Sequence, residues 1–277
     1  MLDKKTTDTI LDFVKQKPRT VQEISKILQK NWRTAERYVD KITEETGLVA
    51  TRTFREGTRG ALKIVFWNAL EKTQGSTYQQ RLLQLIMQGR HKEDFSSMDI
   101  YQFIPKENRE AFIEQTEISN NPKIKYDILL SKATSQVLFF SGNLSWLDTW
   151  PDAIKILEQA AKKGISIKIL TRVDIVSQKN IEKLFNVNKR TGRDAVQIRY
   201  CEQPLRALII DDSVASLKEV LTQQHNKELK KNMFMFYVIE DTEWISWLQK
   251  VFWNLWGQSV DAKIRLEALE TIRTAKN

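Results

Sequence analysis

Apolar residues recur at helical spacing through the first part of the chain and then switch to strict alternation. Ile10, Leu11, Phe13 and Val14 mark one face of a first helix, which Thr6 or Thr7 can cap and which ends before Pro18, since proline cannot continue it. Thr20 opens a second helix, TVQEISKILQ, with Glu23 three residues on as a capping box and Val21, Ile24, Ile27 and Leu28 turned inward. The third segment, NWRTAERYVDKITEETG, starts at Asn31 and places Ala35, Val39 and Ile42 on one face, with Gly47 as its stop. Its opposite face carries Arg33, Arg37, Asp40 and Lys41. LVATRTF then alternates as a strand, EGTRG supplies a flexible basic tip, and ALKIVFW reads as the antiparallel return.

After a polar stretch at 68–76, TYQQRLLQLIMQGR concentrates Leu82, Leu83, Leu85, Ile86 and Met87 on one helix, more apolar surface than one contact uses. It either joins two subunits or packs on its own following domain. Beyond Pro122, continuous apolar strands alternate with amphipathic helices: QVLFFSG, ISIKILTR, AVQIRYC, RALIIDD and NMFMFYVIE among PDAIKILEQAAKKG and NIEKLFNV. That alternation predicts an α/β domain with a mostly parallel sheet covered on both faces. The closing helix, TEWISWLQKVFWNLWGQ, is rich enough in aromatic side chains to require extensive burial. The chain thus divides into a module of three helices and a hairpin at 1–70, a helical connector at 71–122 and an α/β domain at 123–277.

A length of 277 residues suits two domains. Cys201 is the single cysteine, with His91 and His225 the only histidines, too few ligands for a zinc site; neither metal nor cofactor is expected. No apolar run reaches the roughly 18 to 20 residues that cross a bilayer, and the first residues lack a signal-peptide pattern, so the expected location is the cytoplasm, away from membranes. Residues 1–70 hold 14 Lys and Arg against 9 Asp and Glu, whereas the remainder holds 30 against 26. The excess of positive charge is densest where a nucleic-acid reader is to be sought. No glycine-rich phosphate loop is present, which removes an ATPase reading.

The stretch TVQEISKILQKNWRTAERYVDKI, followed by GLV and a hairpin, resembles a winged helix-turn-helix module. In that family the third helix enters the major groove of double-stranded DNA and the wing touches the backbone. The resemblance places Asn31, Trp32, Arg33, Thr34, Arg37 and Lys41 at base and phosphate contacts and Arg55 and Arg59 on the wing. Winged helices also serve as protein-contact modules, which leaves an interaction scaffold as an alternative.

The second half, through VLFFSGNLSWL, AIKILEQAAKKGISIKIL and RALIIDDSVA, resembles the phospholipase D-like domain of archaeal regulators of the TrmB type. Active members of that family carry a His-x-Lys-x-x-x-x-Asp motif whose histidine attacks phosphorus. The matching stretch here is PLRALIID: Asp211 matches the aspartate, Arg206 replaces the lysine, and Pro204 stands at the nucleophile's place. Proline cannot form a phosphohistidine, so the resemblance implies a catalytically inactive domain rather than a nuclease or phosphodiesterase. Arg206 and Asp211 form either a strand-end ion pair or the remnant of a pocket for an anionic or sugar effector. A single motif copy further implies a homodimer.

Overall fold

The computed structural model describes residues 2–46, 49–55, 61–67, 75–117, 119, 121–224, 226–227 and 229–274. Helix α1 (Lys4–Gln16) is capped by Asp3, whose carboxylate accepts from the Thr6 amide at 2.9 Å. Thr6 and Thr7 are therefore already inside the first turn, and the Thr7 hydroxyl donates to the Asp3 carbonyl. Strand β1 (Arg19–Thr20) leads into α2 (Val21–Leu28), where Thr20 and Glu23 form the expected capping box. Then come α3 (Trp32–Thr46), β2 (Val49–Arg55) and β3 (Ala61–Trp67). The order helix, helix, helix, hairpin is present, and β1 adds a third strand by pairing antiparallel with β3. Ile10, Val14, Ile24, Ala35, Val39 and Val65 are fully buried between these elements. Gly47 lies outside the described residues.

The chain continues through α4 (Gly75–Gln88), α5 (Met98–Tyr101), β4 (Arg109–Glu114), α6 (Tyr126–Ser131), β5 (Gln136–Phe140), α7 (Trp146–Thr149) and α8 (Ala153–Lys162). It ends with β6 (Ser166–Thr171), α9 (Ile175–Thr191), β7 (Val196–Tyr200), β8 (Ala207–Ile210), β9 (Val214–Leu221), β10 (Met233–Ile239), α10 (Thr242–Gln258), β11 (Val260–Asp261) and α11 (Ala262–Thr274). One sheet takes eight of these strands in the order β11-β7-β6-β5-β8-β9-β10-β4.

This α/β sheet is mixed, a correction to the mostly parallel arrangement expected. Among the described residues parallel pairing is confined to β5 with β6 and β6 with β7, where α8 and α9 supply the crossovers. The β8–β9, β9–β10 and β10–β4 pairs are antiparallel. The reason is connection length: β8 and β9 are separated by residues 211–213, too few for the crossover of a dozen or more residues that a parallel pair needs. The segment 71–122 is likewise more than a helical connector, because its strand β4 lies beside β10 in the large sheet.

Both faces of the sheet are covered. Leu82 and Ile86 of α4 pack with Trp244, Trp247, Leu248, Val251, Phe252 and Leu255 of α10, so both helices spend their apolar faces inside their own chain. The same core takes Phe54, Leu62, Ile64 and Phe66 from the β2–β3 hairpin. Period-two alternation explains how: Val49 and Val65 face the first three helices, while the side chains of opposite parity face the larger domain. Arg52 strengthens the seam by donating to the Tyr101 hydroxyl and, at 3.0 Å, to the Ala111 carbonyl. No helix among the described residues is long and apolar enough to cross a membrane.

Candidate functional site

The exposed end of α3 is built by its own sequence. Asn31 caps it, its side-chain oxygen accepting from the Thr34 amide at 2.8 Å, which leaves the Asn31 NH2 group for other partners. Ala35, Val39 and Ile42 anchor the helix in the small core and thereby turn Trp32, Arg33 and Arg37 outward. Trp32 is 47% exposed, a state that leaves a large ring without an apolar partner. The Arg33 guanidinium sits 5.5 Å from the Trp32 ring centroid, and that of Arg37 lies 5.8 Å from Tyr38. These ring contacts hold the cations over apolar surface while their N–H groups stay free to bond.

The acidic residues of α3 are drawn away from these arginines. Lys63 on β3 reaches Asp40 at 2.7 Å and Glu36 at 3.2 Å. Burial alone would lower the Lys63 ammonium, and the two carboxylates overcome this and raise it. Among the described residues Arg33 and Arg37 make no ion pair, so their charge stays directed at solvent. Thr34 is half-buried beside them, and Lys41, also half-buried, lies further along the helix. Arg55 ends β2, but its side chain and the whole of Arg59 fall outside the described residues.

In the larger domain, Pro204, Arg206 and Asp211 do not form one cluster. Arg206 precedes β8 and Asp211 follows it; five extended residues span roughly 16 Å, so the ion pair considered for them does not exist. Pro204 is buried, close against Gly89 at the end of α4. Asp211, at φ 43°, has a structural task. Its carboxylate accepts from the amides of Thr134, Ser135 and Gln136 at 2.6, 3.0 and 2.7 Å and from the hydroxyls of Thr134 and Ser135 at 2.8 Å each. Burial opposes ionisation, but these donors hold the carboxyl down at about 2.

The stabilising charge follows a definite sign. A folded value below the unfolded one means that the contribution is complete above about pH 4 and is lost as pH falls toward 2. Asp211→Asn, which keeps a residue tolerant of left-handed backbone, is expected to cost about 2 kcal/mol at pH 7 in urea unfolding, with the gap narrowing below about pH 4. Equal midpoints at pH 7 would refute this role.

Arg206 instead joins a cavity of about 440 Å³ whose wall includes Arg90, His91, Lys92, Arg172 and Lys218, against the carboxylates of Glu93 and Glu117. Burial, and next the charge of Arg172, lower the Arg206 guanidinium to about 10. Sequence reasoning found Arg206 but not Arg172 or Gly142, because strands distant in sequence bring them together. A second cavity reaches from Lys17, Arg19 and Glu23 of the first module to Pro204, Asp99 and Glu219.

No family model matches this chain, and no curated protein matches it. Solved structures similar to it include TrmBL2, described as an archaeal chromatin protein with a novel mode of DNA binding, at 13% identity and a TM-score of 0.41, over 93% of this chain and 92% of that one. Another is Nuc from Salmonella typhimurium, a phospholipase D family member, at 16% identity and a TM-score of 0.38, over 55% of this chain and 97% of that one. NucT from Helicobacter pylori is similar at 15% identity and a TM-score of 0.39, over 55% of this chain and 98% of that one.

Proposed function

We propose that the chain is a DNA-binding transcription regulator whose winged helix-turn-helix module reads duplex DNA with α3, and whose larger, phospholipase D-like domain is catalytically silent. The observation that carries this reading is the charge arrangement of α3: Arg33 and Arg37 project from its exposed N-terminal half, while Lys63 retains Glu36 and Asp40. A helix N-terminus with outward guanidiniums suits base edges and phosphates alike, since their planar fork can bond two acceptors at once.

Silence rests on Pro204, which offers no nucleophile and is buried. His91 reaches the cavity around Arg206, but no carboxylate bonds its ring among the described residues. The functional unit is taken to be a homodimer, so that two α3 helices meet two half-sites about one helical turn apart or a multiple of it. With α4 and α10 mostly consumed by intramolecular packing, the apolar side chains most open to a second copy among the described residues are Ile264 and Ile272 of α11, 60% and 52% exposed, and Ile175 and Val176 at the start of α9, 72% and 74% exposed.

The test is duplex binding by the full-length protein across a salt series, with sedimentation in parallel. The expected outcome is an affinity that falls steeply with salt as counterions are released, a dimer at micromolar concentration, and DNA recovered uncut. Absence of duplex binding at low salt overturns the regulator and favours a protein-contact module. Cleavage by the unmodified protein overturns silence, and a monomer overturns the two-copy arrangement.

A further inference from the structure

The cavity around Arg206 lies where β5, β6 and β8 converge. Ser141 and Gly142 follow β5, Arg172 follows β6, and Arg206 precedes β8. The Arg172 amide donates to the Gly142 carbonyl at 2.9 Å, and Gln203 Nε2 donates to the Ser141 carbonyl at 3.1 Å, fixing the three segments together. The Arg206 guanidinium lies flat on Gly142: a Cβ there would come within 2.6 Å of Nη2 and 2.8 Å of Nε. Nη1 of Arg206 is spent on the carbonyls of Gln203 and Leu205, at 3.2 and 2.6 Å.

Two guanidiniums sharing one cavity repel each other and lose hydration, which is costly unless an anion joins them. The wall's carboxylates do not fill that role. Glu117 is held by Lys218 at 2.5 Å and Glu93 lies 3.8 Å from Lys92. Among the described residues neither Arg172 nor Arg206 has an ion-pair partner, and Arg172 Nε is buried without an acceptor. Such a pair of guanidiniums suits an anion with several oxygens, and a phosphate monoester matches forked donors on two sides.

The wall also carries aromatic side chains, among them Tyr126, Phe139, Trp146 and Phe234, next to the polar Asn143 and Ser145. Trp146 is fixed by stacking on Phe139 at 5.2 Å between centroids and by donating Nε1 to Ser141 Oγ at 3.1 Å. A rigid aromatic surface beside a cation pair recognises a ligand that joins a planar ring to a phosphate. At about 440 Å³ the cavity falls within the range of roughly 300 to 1,000 Å³ usual for small-molecule sites.

We propose that this cavity binds a nucleoside monophosphate, with the phosphate between Arg172 and Arg206 and the base against the aromatic wall. The site stands whether or not α3 binds DNA.

Isothermal titration of the full-length protein with AMP, CMP, ribose 5-phosphate, inorganic phosphate and adenosine tests it. The expected result is saturable binding of the nucleotides, about tenfold tighter than ribose 5-phosphate or phosphate, and no measurable binding of adenosine. Arg206→Gln should weaken nucleotide binding by about tenfold or more. Gly142→Ala should do the same without removing a charge, since its methyl group displaces the Arg206 guanidinium; it also covers the case in which Arg206→Gln fails to fold. No heat with either nucleotide up to about 1 mM overturns the proposal. Undiminished binding in folded variants overturns the site, and phosphate binding as tightly as AMP overturns the role of the aromatic wall.

Discussion

Replacing Arg33 and Arg37 together by Ala is expected to lower duplex affinity about 100-fold at moderate salt while leaving the melting temperature within about 1 °C. The size follows from a bidentate base contact, worth about 1–3 kcal/mol, and from the phosphate charges that a cation neutralises. The unchanged stability follows from position, because both side chains are exposed and the helix is anchored from its other face by Ala35, Val39 and Ile42. The single variants separate two kinds of contact. Loss of a base contact relaxes sequence preference at one position, whereas loss of a phosphate contact weakens all sequences alike and flattens the salt dependence. Affinity within about twofold of the wild type in the double variant would remove this helix face from the DNA interface.

Glu219→Gln is expected to stabilise the protein at pH 8 by about 2–3 kcal/mol, a rise of about 5–10 °C in melting temperature. The Glu219 carboxylate accepts from Ser96 Oγ and Tyr237 Oη, each at 3.2 Å. Desolvation dominates over these bonds, Asp99 adds a second negative charge, and the group is pushed up to about 7. Asp99 itself is raised to about 6 by burial, against the pull of Lys17, Arg81 and Arg19. An acid with a raised folded value binds more protons in the native state, so stability falls as pH climbs from about 4.5 to about 7 and stays low above. Gln keeps an oxygen for both donors and removes the charge, so its advantage should vanish near pH 4. Identical stability of the two proteins at pH 8 would show that Glu219 carries no such penalty.

The first module was legible because its signals are local. Thr20 with Glu23, Asn31 at the head of α3 and the alternation of β2 and β3 each act within a few residues, and they reappear as a capping box, a cap and a hairpin. The larger domain was legible in α8, α9 and α10 and in β5 to β8 and β10, but α5, α7 and α11 went unread, and β9 and β4 were missed for physical reasons. VASLKEVL carries Lys218 and Glu219 where a buried strand normally holds apolar residues; the lysine is neutralised by Glu117 and the glutamate opens into a cavity. REAFIE is half-buried along most of its length, with one covering neighbour, so it lacks the continuous apolar run of a central strand. Missing these two made a mixed sheet read as parallel. The cation cavity was invisible for a related reason: Gly142, Arg172 and Arg206 share no local motif, and only strand order unites them.

The β2–β3 hairpin is a wall shared by two rooms, and this limits how the chain can be recombined. A piece cut after residue 70 would present Phe54, Leu62, Ile64 and Phe66 to water, along with an Arg52 stripped of Tyr101 and Ala111. Four large apolar side chains on one strand pair form the kind of bare patch that draws chains together into aggregates. The first module is therefore not a cassette that could be moved intact onto another effector domain. Any recipient would have to bring its own equivalent of Tyr101, Met98 and Ile100 to close the open side. Domain shuffling, natural or engineered, should succeed only when the outer face of the hairpin is rewritten along with the break.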